Sequence, residues 1–278
     1  MDLLLIAGVS GSGKSVALAA LEDSGYYAVS NLPSSQLPGL LSHLKAVRQQ
    51  RVAIVLDVKT TPDLNAVAQA IEVARRDGWT VRFLYLDAKT DTLVKRFSET
   101  RRRHPFSDPA RTLTEAIEFE RTRLTDVRSL GYSIDTSDLS AAALREWIKD
   151  FISVDPSKLT LLFQSFGYKH GVPLDADLVF DVRCLPNPHY EPKLASKTGL
   201  DPEVVAYLER QPEAERMYGD IYRFVTSWLP EYARDNRNYL TVAIGCTGGQ
   251  HRSVYIVERL ARAFADRYQV QIRHRELG

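Results

Sequence analysis

The sequence is poor in cysteine, methionine and tryptophan, with two, two and three residues respectively among 278. Cys184 and Cys246 stand too far apart for a CxxC pair and are too few for a zinc site or a disulfide framework, so a reducing cytoplasm is the expected setting. An excess of either charge is also missing, with 36 Lys and Arg against 35 Asp and Glu. No global field therefore draws the chain to nucleic acid or an anionic membrane, and such a partner needs a local patch. No apolar run approaches the roughly 18 residues of a membrane span. The amino terminus, MDLLLIAGVSGSGK, lacks a basic n-region and its apolar run is broken at Gly8, so it reads as a strand rather than a signal peptide. Fixed-period repeats and low-complexity tracts are absent. What is present, 44% hydrophobic and 26% charged residues, suits one large or two ordinary folded domains.

From Leu3 to about Phe151, short apolar strands (LLLIAGV, VAIVLDV, VRFLYLDA, YSIDTS) alternate with helical stretches, including amphipathic segments over 64–77 and 110–130. That rhythm predicts a parallel sheet covered by helices. The pattern breaks at SVDPSK, where Asp155 precedes Pro156. Beyond it, LTLLFQSF, ADLVFDVR, a helical stretch over 201–236, YLTVAIG, a helix over 253–268 and VQIRHREL again read as α/β. The expected organisation is a P-loop NTPase domain with a kinase-like parallel sheet over 1–153 and a second α/β domain over 154–278.

GVSGSGKS, comprising Gly8, Val9, Ser10, Gly11, Ser12, Gly13, Lys14 and Ser15, matches GxxxxGKS and lies directly between a buried strand and a helix. In that context backbone N–H groups surround phosphates, the lysine reaches the β- and γ-phosphate oxygens, and the serine hydroxyl ligates Mg²⁺. A P-loop protein also places an acid at a neighbouring strand end. Asp57, which ends VAIVLD, is favoured for Mg²⁺ over Asp87, which ends FLYLD. Arg96, Arg101, Arg102 and Arg103 form either a phosphate-clamping lid or a solvated basic face. NLPSSQLPGLL offers no carboxylate to activate an acceptor, so binding with slow hydrolysis is expected rather than phosphoryl transfer to a metabolite.

In the second half, polar residues gather after three predicted strands: Lys169 and His170, then Arg183, Asn187 and His189, then Cys246, Thr247, Gly248, Gly249, His251 and Arg252 with Ser253. Ligands bind outside the carboxyl ends of strands in open α/β sheets, and Arg, Lys and His there describe an anion site. CTGGQHR also satisfies Cx₅R, the loop of cysteine-dependent phosphatases, although Gly245 stands where those enzymes usually carry a histidine. Two readings follow, anion binding and thiolate chemistry on a phosphate ester. Arg259, Arg262, Arg267, Arg273, Arg275 and His274 form a candidate basic patch for RNA.

The phosphate loop together with NLP, SETRRRHP, FGYKHG, DADLVFDVRCLPNPHY and VAIGCTGGQHRSVYI resembles the RapZ/YvcJ family of P-loop nucleotide-binding proteins over essentially the whole chain. The resemblance implies binding and slow hydrolysis of ATP and GTP, with Gly8 to Ser15 as the ATP loop and Asp57, Val58, Lys59 and Thr60 as the GTP segment. It implies a sugar-phosphate pocket of His170, His189, Cys246, Thr247, Gly248, Gly249, His251 and Arg252. Enteric relatives are RNase adapters that bind small RNA, sense glucosamine-6-phosphate and assemble as tetramers, which makes a regulatory homo-oligomer the expectation here. The chain departs from them at Ser30, where they carry an acid, and at RHRELG, which takes the place of a lysine-rich tail.

Overall fold

The structure, a computed structural model, describes residues 1–57, 64–155, 158–234 and 239–277. The chain divides into two compact units, Met1–Val154 and Asp155–Gly278.

The first unit runs β1 (Asp2–Gly8), α1 (Lys14–Asp23), β2 (Tyr27–Leu32), α2 (Leu37–Ala46), β3 (Arg51–Leu56), α3 (Leu64–Arg76), β4 (Thr80–Asp87), α4 (Thr90–Thr100), α5 (Leu113–Arg123), α6 (Thr125–Arg128), β5 (Tyr132–Asp135) and α7 (Ala141–Ser153). All its strand pairs are parallel and the sheet order is β2-β3-β1-β4-β5. β1 is central, and Leu3, Leu4, Leu5 and Ile6 are fully buried. That explains the unbroken apolar run, since a strand covered on both faces has no polar alternation. The carboxyl ends of β1, β3 and β4 are in register, with Ile6 beside Val55 and Gly8 beside Leu86. Asp57 and Asp87 therefore flank the mouth of the loop that leaves β1.

The second unit runs β6 (Thr160–Gly167), β7 (Leu178–Asp181), α8 (Pro202–Glu209), α9 (Pro212–Arg234), β8 (Tyr239–Cys246), α10 (Arg252–Phe264) and β9 (Gln269–His274). Its sheet is parallel throughout, in the order β7-β8-β6-β9. Leu161, Phe163, Leu240, Val242 and Ile244 pack with Tyr255, Ile256, Leu260 and Phe264 of α10 in one buried cluster.

Several elements differ from the sequence-based expectation. The helical pattern over 110–130 resolves into α5 and the single turn α6. A capping box fixes the start of α5: Thr112 Oγ1 accepts the Glu115 N–H while Glu115 accepts the Thr112 N–H. The stretch over 201–236 divides between α8 and α9 at Gln211. β2, α2 and α4 carry no strong apolar run. β2 is a half-exposed edge strand whose register with β3 shifts between Val29 and Leu32, where Asn31 has a φ of 53°.

Candidate functional site

The loop from Gly8 to Ser15 leaves β1 and enters α1. Gly8 has a φ of 143°, and a Cβ there would lie 2.1 Å from the Leu86 carbonyl oxygen of β4. Gly13 has a φ of 103° at the N-cap of α1. Both positions exclude side chains for steric reasons, which fixes the glycine pattern. The N–H groups of Val16 and Ala17 donate to the Gly13 carbonyl at 3.0 Å each, while those of Lys14 and Ser15 open α1 at its positive end.

Side chains from three distant elements hold the loop. Glu120 of α5 accepts both the Ser10 N–H, at 2.8 Å, and the Ser10 hydroxyl, at 2.7 Å. Arg96 of α4 donates to the Gly11 carbonyl at 3.1 Å and to the Thr136 carbonyl at 2.6 Å. Thr136, just past β5, donates to the Ser12 carbonyl at 2.9 Å. Lys14 Nζ donates to the carbonyls of Gly8 and Val9, at 2.6 and 3.0 Å. Burial lowers the Lys14 pKa to about 8, while the charges of Glu120 and Asp87 act in the other direction.

The two strand-end acids differ. Asp87 is buried and accepts from the Ala88 N–H at 2.8 Å and from Arg121 Nε and Nη2 at 3.3 Å each. Burial raises its pKa, with Arg121 opposing the shift. Asp57 is half-buried and its N–H donates to the Leu32 carbonyl at 2.9 Å, which ties the end of β3 to β2. Val58, Lys59 and Thr60 lie outside the described residues. Of the four arginines singled out from the sequence, Arg96 braces the loop from beneath, and Arg101, Arg102 and Arg103 are exposed.

In the second unit, four segments meet at the carboxyl end of the sheet. The Lys169 N–H donates to the Thr247 carbonyl at 3.3 Å, and the Gly199 N–H to the Gln250 carbonyl at 2.8 Å. Arg252 is buried, and its Nη1 donates to the carbonyls of Arg183 and Leu185 at 2.7 and 3.0 Å. Its Nη2 reaches Thr247 Oγ1 at 3.3 Å. Cys246 Sγ accepts from the Gly249 N–H at 3.2 Å and lies 3.2 Å from Ser253 Oγ. Gly249 has a φ of 74°, and a Cβ there would meet Glu276 Oε2 at 2.3 Å. His251 Nε2 lies 3.2 Å from the Leu194 carbonyl, and the His189 and His251 ring centroids are 6.2 Å apart. Burial pushes the His251 pKa down, with the hydrogen bond to the Leu194 carbonyl opposing the shift and neighbouring His189 and Arg252 adding to it. Arg183 pairs with Asp181 through Nε and Nη2 and lies 4.0 Å from the Tyr168 ring. His170 is exposed on the turn after β6.

The candidate basic patch is largely paired. Arg259 meets Glu215 at 2.5 Å, Arg262 meets Glu258 at 3.5 Å, Arg273 meets Asp175 at 3.5 Å, and His274 meets Glu258 at 3.1 Å. Sequence reasoning missed Glu120, His104, Thr136, Leu194, Gly199 and Glu276. All act through contacts with residues well removed in the chain; His104 falls within SETRRRHP, and no local motif marks the others.

The β2-β3-β1-β4-β5 order, with GxxxxGKS joining the central strand to α1, defines a P-loop domain with a kinase-like parallel sheet, followed by a second α/β domain. The chain belongs to the RapZ family: residues 1–156 match the RapZ-like N-terminal domain and residues 159–278 the RapZ C-terminal domain. It is 58% identical over 276 residues to a nucleotide-binding protein of Azoarcus sp. (strain BH72), covering 99% of this chain and 94% of that one. It is 57% identical over 278 residues to a nucleotide-binding protein of Thiobacillus denitrificans, covering the whole of both chains. Among solved structures, shikimate kinase from Bacteroides thetaiotaomicron aligns with a TM-score of 0.37 at 12% identity, covering 55% of this chain and 99% of that one. No helix among the described residues is long and apolar enough to cross a membrane.

Proposed function

We propose that the Met1–Val154 unit binds a magnesium nucleoside triphosphate, ATP or GTP, at Gly8 to Ser15 and hydrolyses it slowly. The observation that carries this reading is the braced loop at the amino end of α1, with Lys14 turned over it. The donor set fits the group: first-turn amides and an ammonium for phosphate oxygens, with the Ser15 hydroxyl and the Asp57 carboxylate for Mg²⁺. Held by Ser15 and Asp57, Mg²⁺ would supply charge neutralisation to the phosphate oxygens. We assign this role to Asp57, which directly follows β3 beside the central strand β1; the Asp87 carboxylate, at the end of β4, accepts from Arg121. The names of the relatives agree with nucleotide binding. Slow turnover follows because Arg96, the arginine nearest the loop, is held by Gly11 and Thr136 rather than turned towards a phosphate. Calorimetry with Mg·ATP and Mg·GTP tests the reading, and Lys14→Ala should abolish both signals. Unchanged affinity in that variant overturns it.

For the second unit the reading is a regulatory site for a phosphorylated small molecule, with an amino-sugar phosphate as the family's candidate, formed by His170, Arg183, His189, Cys246, Thr247, Gly248, Gly249, His251 and Arg252. The amino end of α10 and the glycine-rich turn before it support this. Together the two sites suit a homo-oligomeric, cytoplasmic regulator that binds small RNA and an RNase. The exposed run Arg101 to Arg103 offers a better RNA contact than the paired carboxy-terminal arginines.

A cysteine-dependent phosphatase is the second reading, favoured by the Gly249 N–H and the Ser253 hydroxyl converging on Cys246 Sγ. One feature weighs against it. Hydrogen bonds from Arg183 hold Asp181, the acid at the end of the adjacent strand, below the usual carboxylate range. An acid held ionised at neutral pH does not protonate a leaving group.

A further inference from the structure

Glu120 lies 110 residues from Ser10 in sequence and is fully buried. Three donors converge on its carboxylate. The Ser10 N–H and the His104 Nε2–H reach Oε2 at 2.8 and 3.1 Å, and the Ser10 hydroxyl reaches Oε1 at 2.7 Å. The Phe106 N–H donates to His104 Nδ1 at 3.2 Å, so the neutral ring carries its proton on Nε2. Burial alone would raise the Glu120 pKa, but the hydrogen bonds from His104 and Ser10 and the charge of Lys14 bring it below the ordinary value.

An ionised carboxylate beneath a phosphate-binding loop repels the ligand, and burying it is costly unless every lone pair facing the protein finds a donor. Packing alone does not require it, because an apolar side chain would fill the same volume. Its contacts distinguish it from the other braces. Arg96 and Thr136 hold loop carbonyls, whereas Glu120 is the side chain that holds a loop N–H among the described residues. It therefore fixes the Val9–Ser10 peptide plane, and with it the direction in which the loop runs on towards Gly11.

We propose that Glu120 is a positioning residue of the phosphate loop, acting through its paired hydrogen bonds to Ser10, with His104 as the support that orients the carboxylate. The proposal rests on the nucleotide reading above. It predicts that hydrogen-bonding shape, not charge, is what the loop needs. Glutamine supplies that shape: its amide oxygen accepts from Ser10 N–H and His104 Nε2–H, and its NH₂ donates to a Ser10 hydroxyl turned to accept.

The test is Mg·ATP calorimetry on the full chain and on the Glu120→Gln, Glu120→Ala, Ser10→Ala and Ser10→Ala/Glu120→Ala variants. Glu120→Gln should bind within about threefold of the parent and Glu120→Ala about tenfold or more weaker, as expected for losing hydrogen bonds to a charged group. Ser10→Ala should weaken binding about threefold in the parent background and have no further effect in the Glu120→Ala background, because both changes remove the same hydrogen bond. A merely structural role would lower thermal stability without this rescue and non-additivity. Parent-like affinity in Glu120→Ala, additive losses, or a Gln variant as weak as the Ala variant each overturn the proposal. If Glu120→Ala does not fold, parent-like affinity in Ser10→Ala overturns it. A parent that takes up no Mg·ATP overturns the nucleotide reading itself, an outcome separate from any ranking of the variants.

Discussion

Arg252 reaches across the end of the second sheet and donates to the main-chain carbonyl of Arg183 at 2.7 Å, and the same nitrogen donates to Leu185 at 3.0 Å. The guanidinium thereby pins the segment after β7 to the amino end of α10. Arg252→Ala leaves both carbonyls without their partner. It should destabilise the protein by about 1–3 kcal/mol, measured by urea unfolding, as well as weaken anion binding. A variant with parent stability would mean that the guanidinium acts on the ligand alone.

Cys246→Ser keeps a hydrogen-bond acceptor for the Gly249 N–H and a partner for Ser253. It should retain binding of inorganic phosphate, and the parent should not turn over p-nitrophenyl phosphate. Turnover that disappears in Cys246→Ser would favour the phosphatase reading.

Asp181 gives the pH dependence. Its pKa is depressed, first by the hydrogen bonds from Arg183. A depressed carboxyl contributes stability that is present above the ordinary aspartate pKa and lost as the pH falls through the folded-state value. The Asp181 carboxyl carbon should therefore titrate below the ordinary aspartate range by NMR, and Arg183→Ala should move it upward. Titration at the ordinary value in the parent would contradict the pairing seen here.

The proposed RNA contact, if made through phosphates, would read out in its salt dependence. Replacing Arg102 and Arg103 by alanine should reduce the slope of log affinity against log salt by roughly 0.7–0.9 for each phosphate that these side chains neutralise. Arg259→Ala should leave that slope unchanged, because Arg259 is paired with Glu215 and stacked 3.9 Å from the Tyr218 ring. A slope that depends on Arg259 instead would assign RNA binding to the carboxy-terminal helix.

The parts of this protein that are legible in the sequence are local. GVSGSGKS announces itself because strand, glycine turn, lysine and helix follow one another within a few residues; β1 reads as a buried strand because nothing polar interrupts Leu3 to Ala7, and β8 because only the small polar Thr241 breaks its apolar run. The braces are hidden for a physical reason. Glu120, Arg96 and Thr136 meet the loop across 110, 85 and 124 residues, so their roles come from the winding of α4, α5 and β5 around β1 and not from any spacing. β2 is hidden by its half-exposed edge position, which lets Ser30 and Asn31 stand where a buried strand would carry apolar residues. In the second unit the three polar loops are visible, but the Leu194–Gly199 segment that meets His251 and Gln250 carries no chemical signature.

The most direct test of the account is the stoichiometry of nucleotide uptake. Equilibrium dialysis of the full chain with Mg·ATP, repeated with Lys14→Ala and with Mg·GTP as competitor, should give one ATP per chain, displaced by GTP and abolished in the variant. Undiminished binding in Lys14→Ala, or no uptake by the parent, would contradict the central claim that Gly8 to Ser15 is a nucleotide site.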